Sequence, residues 1–374
     1  MKKTLAALAV LGAFAGTAAA ADVTLYGVVD TGLAFTYQKV TNSKGDSTEM
    51  NTFEMANGIN AGSRFGLRGT EELGNGFKVG FKLENGFNSD DGSLKFDNRL
   101  FGREASLTIY TPHCGQVSFG RMGGIGSAAG TYDVVFANAD AFDGGDWDVF
   151  GFSATSRYDN MVTYQTPKVV GLQATMQYSF KTDSTKDGVE GRSTANRYGS
   201  VALTGEYGPV TFVGAYEEII RPTTEKNVTD GRIASLGGNV DLGVAKIFAM
   251  AQYLNGLTTS ELGNKVLEGV ENTEMTKYGF EGYGLHLGTV APIAGGDLTV
   301  GVYYVDGVAH VNAASNRDFD YLGLAARYGY SLSKRTTAYV GGGYAEQNFD
   351  KKEGEAHDGK VKTGTLYVGL THTF

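Results

Sequence analysis

The chain has 374 residues with 32 basic and 41 acidic side chains, a net charge of −9, and it carries 55 glycines but only 5 prolines and 1 cysteine. The acidic balance argues against a nucleic-acid partner, which would call for a basic face. The single thiol, Cys114, excludes an intramolecular disulfide. Glycine at about twice its usual share of ~7%, without low complexity, suits twisted strands and tight turns. The 21 tyrosines and 21 phenylalanines spread along the chain suit the aromatic girdles of a membrane barrel.

In chain order, the first element is one expected to be absent from the mature protein. Lys2 and Lys3 precede a short apolar run from Leu5 to Phe14, and Ala18, Ala19 and Ala20 supply small residues for a signal peptidase. Residues 1–20 read as an export signal, and residues 21–374 as a single domain. Removal of two lysines takes the net charge from −9 to −11.

No apolar run of about 18 residues follows, so the mature chain has no transmembrane helix by the usual criterion. A membrane protein of this sequence must then close its sheet, because lipid offers no partners to backbone N–H and C=O groups. Period-2 alternation recurs along the chain. Phe77, Val79, Phe81 and Leu83 alternate with Lys78, Gly80, Lys82 and Glu84. Leu298, Val300, Val302 and Tyr304 alternate with Thr299, Gly301 and Tyr303. Leu366, Val368, Leu370, His372 and Phe374 alternate with Thr365, Tyr367, Gly369, Thr371 and Thr373. One face suits lipid and the other a wet lumen.

Connections fall into two classes. Short ones lie at 72–76, 112–115, 167–171, 207–209, 241–243, 292–296 and 331–335. Long polar ones cover 38–58, 88–98, 122–155, 181–196, 220–231, 256–275, 306–317 and 348–362. Seven short turns and eight long loops join sixteen strands, with the short turns periplasmic and the long loops external. An even count places both termini on the periplasmic side. The expected fold is an all-β transmembrane antiparallel barrel of about 16 strands.

Catalysis finds no support in the sequence. The five histidines stand apart at 113, 286, 310, 357 and 372, with no HExxH pair and no nucleophile elbow. Cys114 has only His113 beside it, so neither a metal site nor a cofactor is expected.

The strand that opens ADVTLYG (21–27) and VVD (28–30), the run SRFGLRGTEELG (63–74), LFGREA (100–105), VSFGR (117–121), RYDN (157–160) with VTY (162–164), and the terminal Phe374 together resemble the trimeric general porins of Gram-negative bacteria, especially the neisserial and betaproteobacterial branch. The resemblance runs end to end in the mature chain. It implies a sixteen-stranded barrel in the outer membrane, a homotrimer, insertion by the barrel-assembly machinery with Phe374 as its C-terminal signal, and a third loop folded inward to narrow the pore. His372 and the loop residues 123–152 depart from the family pattern.

Strand alternation puts Phe65 and Leu67 outward and Arg64 and Arg68 into the lumen. By resemblance, these two match the basic wall of the constriction. Arg157 joins them if Tyr158, Val162 and Tyr164 face lipid. Arg103 matches a family wall arginine, although it shares parity with Leu107 and Ile109. The loop offers the opposite sign through Asp133, Asp140, Asp143, Asp146 and Asp148, and Trp147 either packs the loop on the wall or lies upon it. Opposed charges would set up a field across the pore that favours polar solutes. Five loop aspartates predict a mild preference for cations. The function expected is passive diffusion of small hydrophilic solutes and ions. The rival readings are a substrate-specific channel, which wants a line of aromatics along its path, and an adhesive or structural barrel, which leaves no aqueous path.

Overall fold

The computed structural model describes residues 21–42, 44–96, 99–147, 156–224, 228–258, 261–262, 279–312, 315–350 and 358–374. The segment read as an export signal lies outside them. Among the described residues seventeen strands form one antiparallel sheet: β1 (Ala21–Thr41), β2 (Ser47–Asn57), β3 (Arg64–Gly74), β4 (Phe77–Gly86), β5 (Glu104–Thr111), β6 (Gly115–Gly123), β7 (Arg157–Gln165), β8 (Leu172–Ser179), β9 (Arg197–Tyr207), β10 (Val210–Ile220), β11 (Gly231–Asp241), β12 (Lys246–Leu257), β13 (Phe280–Ile293), β14 (Gly296–Asn312), β15 (Ser315–Ser331), β16 (Thr336–Phe349) and β17 (Gly359–Thr373). A single turn of helix, α1 (Phe136–Ala139), interrupts the connection from β6 to β7.

β1 pairs with β3 from Ala21 to Val28 and with β2 from Thr31 to Thr41. β2 and β3 are therefore two halves of one wall position, and the barrel has sixteen. Its other edge pairs with β17 from Val28↔Thr373 to Thr41↔Lys360, which closes the sheet. Closure removes the free edge that lipid cannot satisfy. At the closing point Gly27 and Phe374 exchange backbone hydrogen bonds of 3.0 and 3.1 Å.

The alternation read from sequence governs the side chains. Leu366, Val368 and Leu370 are exposed on the outer face, while Thr365, Tyr367 and Thr371 are buried inside. All seven short turns are present. Three of them, at Asn75–Gly76, Val170–Gly171 and Ala294–Gly295, use two successive left-handed residues, which is what a tight hairpin needs to match the strand twist.

Two of the eight long connections differ from expectation. Residues 38–58 are mostly the β1–β2 ladder, and 306–317 are mostly the β14–β15 ladder. Their polar composition reflects strands that continue into water, tied by pairs such as Lys39 Nζ to Glu49 Oε1 at 2.8 Å, rather than the absence of strand.

The closing point is tightly packed. A Cβ on Gly27 would lie 2.3 Å from the Phe374 ring and 2.8 Å from the Arg64 carbonyl oxygen. Gly27→Val should destabilise the folded barrel by about 1–3 kcal/mol, as overpacking does. A lowered urea midpoint for loss of the compact, fast-migrating species on unheated electrophoresis is the expected result; an unchanged midpoint would show that the terminal ring can move aside freely.

Candidate pore constriction

The candidate constriction is organised by a break in the second wall position. Between Asn57 and Arg64 six residues face only two of β1, and the excess folds inward around Asp30, which is fully buried. Gly58 N donates to Asp30 O (3.1 Å), Asn60 N to Asp30 Oδ1 (3.3 Å), and Asp30 N to Ser63 Oγ (3.0 Å). Tyr339 Oη and Thr371 Oγ1 donate to the two carboxylate oxygens from across the barrel seam. Arg64 begins β3 at the end of this inward fold, and its Nη1 donates to Gly62 O at 3.4 Å.

Arg103, Arg157 and Arg64 come together on this side, within electrostatic reach of one another. Arg103 is only 5% exposed. It donates through Nε to Glu84 Oε1 (2.6 Å) and through Nη2 to Ala129 O of the loop (3.2 Å). Its parity conflict with Leu107 disappears because β5 begins one residue later, at Glu104. Arg157 Nη2 donates to Ala128 O (3.2 Å), and its guanidinium lies 5.1 Å from the Phe96 ring centroid.

Its neighbour Tyr158 does not face lipid, contrary to the alternation argument. A register shift between Gly120 and Met122, together with left-handed Asn160 (φ 52), turns that end of β7 over. Tyr158 is buried inward, with its ring centroid 4.5 Å from that of Tyr198. Arg68 lies lower on β3, exposed, with its guanidinium 5.0 Å from the Tyr26 ring centroid.

The wall also carries acids that the sequence reading passed over. Glu84 and Glu104 are buried on the lumen face. Lys82 Nζ stands 2.9 Å from Glu104 Oε2 and 3.6 Å from Glu84 Oε2, and it donates to Thr131 Oγ1 of the loop at 2.8 Å. Glu84 also accepts from Tyr26 Oη at 2.8 Å. Their signal was available, since Lys82 and Glu84 sit on the polar face of the Phe77–Leu83 alternation.

The described part of the loop, residues 124–147, lies inside the barrel. Phe136, Ala139 and Phe142 are buried in the same apolar cluster as Ile233, Met250, Tyr303 and Tyr321 of the opposite wall. Trp147 packs against Ala34, Ala56, Ile59, Tyr339 and Tyr367, which decides its role in favour of packing. The five aspartates divide.

Asp140 and Asp146 are 3% and 4% exposed, and they fasten the loop rather than face water. Tyr303 Oη donates to Asp140 Oδ1 at 2.8 Å, and Phe142 N to the same oxygen at 2.8 Å. Burial pushes the Asp140 carboxyl upward. Arg327 Nη1 donates to Asp146 Oδ1 at 3.2 Å, and Tyr367 Oη to Asp146 Oδ2. Asp133 and Asp143 lie side by side, both accepting from Ala129 N, at 2.9 and 3.2 Å. Burial, then the Asp143 carboxylate, push Asp133 well above the usual carboxylate range. Asp148 lies outside the described residues. Among the described residues no three His, Cys, Asp or Glu side chains form a group that could hold a metal ion.

A family profile described as Gram-negative porin matches residues 6–350. The chain belongs to the Gram-negative porin family. An outer membrane porin protein of Bordetella pertussis is 34% identical to it over the whole of both chains. Among solved structures, the anion-selective porin from Comamonas acidovorans matches with a TM-score of 0.63 and 22% identity, over 95% of this chain and 100% of that one. The trimer form of OmpT from Vibrio cholerae matches with a TM-score of 0.55 and 14% identity, over 95% and 100%. The protein is thus an outer-membrane porin, a closed barrel through which small polar solutes diffuse.

In this porin the Asp146–Arg327–Tyr367 knot holds the far end of the described loop. Removing one partner of a buried ion pair costs about 3–5 kcal/mol, and here that cost falls on the loop and not on the wall ladder. Asp146→Ala should therefore leave unheated electrophoretic mobility unchanged while single-channel current acquires frequent substates. A current as quiet as that of the parent protein would show that the loop is held elsewhere.

Proposed function

We propose that the pore is a general diffusion channel whose narrow zone bears a net positive field and prefers anions. This reverses the sign expected from counting loop aspartates. The observation that carries it is the pairing pattern. Glu84 is taken up by Arg103, and Glu104 by Lys82. Asp146 is taken up by Arg327, while Asp140 is bound into the wall. Asp133 is driven towards its neutral form by burial and by Asp143, which leaves Asp143 as the described loop carboxylate set against three arginines. Arg64, Arg68 and Arg157 form no ion pair with an acidic side chain among the described residues, and their fields reach the water path. The anion selectivity named for the Comamonas acidovorans porin agrees with this reading. The channel acts by passive diffusion and performs no chemistry on its solutes.

Reversal potential under a potassium chloride gradient tests it. The parent protein should show anion preference, and Arg64→Ala should shift it towards cations with little change in stability, since a lumen arginine in water loses little burial. Lys44→Gln, in the exposed β1–β2 turn, should change little at moderate salt, where charges beyond about 8–10 Å are screened. Cation preference in the parent, or equal shifts in both variants, would sink the proposal.

A homotrimer is the assembly that supports this channel best. The trimer form of the Vibrio cholerae barrel shares its fold, and the outward faces of β11, β12 and β16 carry small residues such as Gly238, Ala249 and Gly342, which permit close approach. Unheated, detergent-extracted protein should migrate near three times the monomer mass, and a lone monomer at all detergent concentrations would contradict it.

A further inference from the structure

We infer that the lumen wall between the constriction and the periplasmic turns carries a binding subsite for a small zwitterion, an α-amino acid held between Arg68 and Asp22. The inference rests on the channel reading, because the solute arrives through the same water path.

Arg68 lies four residues beyond Arg64 towards the turn at 75–76, ~13 Å along the strand at about 3.3 Å per residue. There the wall of β1, β3, β4 and β5 and the loop residue Thr131 enclose a recess of about 280 Å³. Its polar lining includes Asp22, Thr24, Arg68, Thr70, Ser106 and Thr108. Antiparallel register puts Thr24 opposite Arg68 and Asp22 opposite Thr70, and all four side chains share the lumen face.

The charges in this recess are of two kinds. Lys82 and Glu104 are spent on each other and on Thr131. Arg68 and Asp22 are not. Among the described residues neither side chain makes a hydrogen bond or an ion pair, and the Arg68 guanidinium stands over the Tyr26 ring. A lone free arginine would mark an anion site; a free arginine and a free aspartate in one recess, unpaired with each other, mark a site for both charges at once.

Asp22 is one diagonal step from Arg68, ~7–8 Å between backbones. Both side chains rise from diagonal positions of one lumen face, so an α-amino acid would engage them through one charge-assisted hydrogen bond of ~2.8 Å at each end. Its carboxylate meets the guanidinium fork beside the Thr24 hydroxyl, and its ammonium meets Asp22 beside Thr70.

L-serine is the probe, followed by saturation-transfer difference NMR on folded, detergent-solubilised protein, with single-channel conductance in potassium chloride measured on the same preparations. Serine should give a saturable signal. Propionate, which lacks the ammonium, and ethanolamine, which lacks the carboxylate, should bind at least about tenfold more weakly, the worth of one lost charge-assisted contact.

Arg68→Gln and Asp22→Asn, each checked for native mobility, should weaken serine similarly. Asp22→Asn should at the same time improve propionate, an outcome that mere misfolding cannot produce. Equal serine binding in the parent and Arg68→Gln, or gluconate binding more tightly than serine, would overturn the subsite. A protein that conducts but shows no serine saturation loses the subsite and keeps the channel; one that binds serine without conducting loses the channel reading instead.

Discussion

Lipid has no hydrogen-bonding groups to offer, so every backbone N–H and C=O of a spanning sheet must find its partner within the sheet. The β1–β17 ladder meets that demand, and much else in the molecule follows from it. Once the sheet is closed, alternate residues must point to lipid and to lumen, so a polar face survives on every strand. That face is where charges can stand opposite one another in water. The constriction is thus a consequence of closure before it is a device for selection. The break between Asn57 and Arg64 is tolerated on the same terms. Its freed backbone groups are satisfied by Asp30 and Ser63 inside the barrel, away from lipid.

The loop inside the barrel creates the complementary problem. A segment held against a polar wall brings its own backbone and carboxylates out of water, and each must be satisfied or it costs free energy. Tyrosines meet much of that demand. Tyr303, Tyr339 and Tyr367 each bury a ring in the apolar contacts of the lumen and present a hydroxyl to Asp140, Asp30 and Asp146 respectively. One residue type serves both packing and polar satisfaction. The abundance of tyrosine, first attributed to the girdles alone, therefore has a second origin inside the barrel.

What the sequence disclosed follows from the range over which each feature is determined. Arg64 and Arg68 were legible because alternation is local: Phe65 and Leu67 must face lipid, which leaves their neighbours no choice. The sixteen wall positions were legible because turns and loops differ in composition. Tyr158 was misplaced because alternation holds only along an unbroken ladder, and the register shift after Gly120 is set by pairing with a strand more than thirty residues away. Asp140 and Asp146 were read as facing water because their partners lie 163, 181 and 221 residues distant. No local pattern joins Asp146 to Arg327. Glu84 and Glu104 are a different case. Their parity with Lys82 and Ser106 is itself local and places them on the lumen face.

Net charge −9 and five loop aspartates both suggest cations, yet neither is the quantity that a passing ion feels. A carboxylate neutralised by an adjacent guanidinium contributes a dipole whose field dies away faster than that of a free charge, and charges on distant loops are screened within about a Debye length. Only uncompensated charges beside the water path act at full strength. Here Glu84, Glu104 and Asp146 are paired with a base, Asp140 is bound by a tyrosine hydroxyl and Asp133 is driven towards neutrality, so that among the described loop aspartates Asp143 is left to face Arg64, Arg68 and Arg157, which keep only aromatic or carbonyl contacts. Folding the loop inward therefore consumes acidic charge in anchoring it and leaves the basic charge exposed to solute. On the anion-selective reading proposed above, anchorage and selectivity are linked: Asp140 and Asp146, which hold the loop in the pore, no longer oppose the arginines.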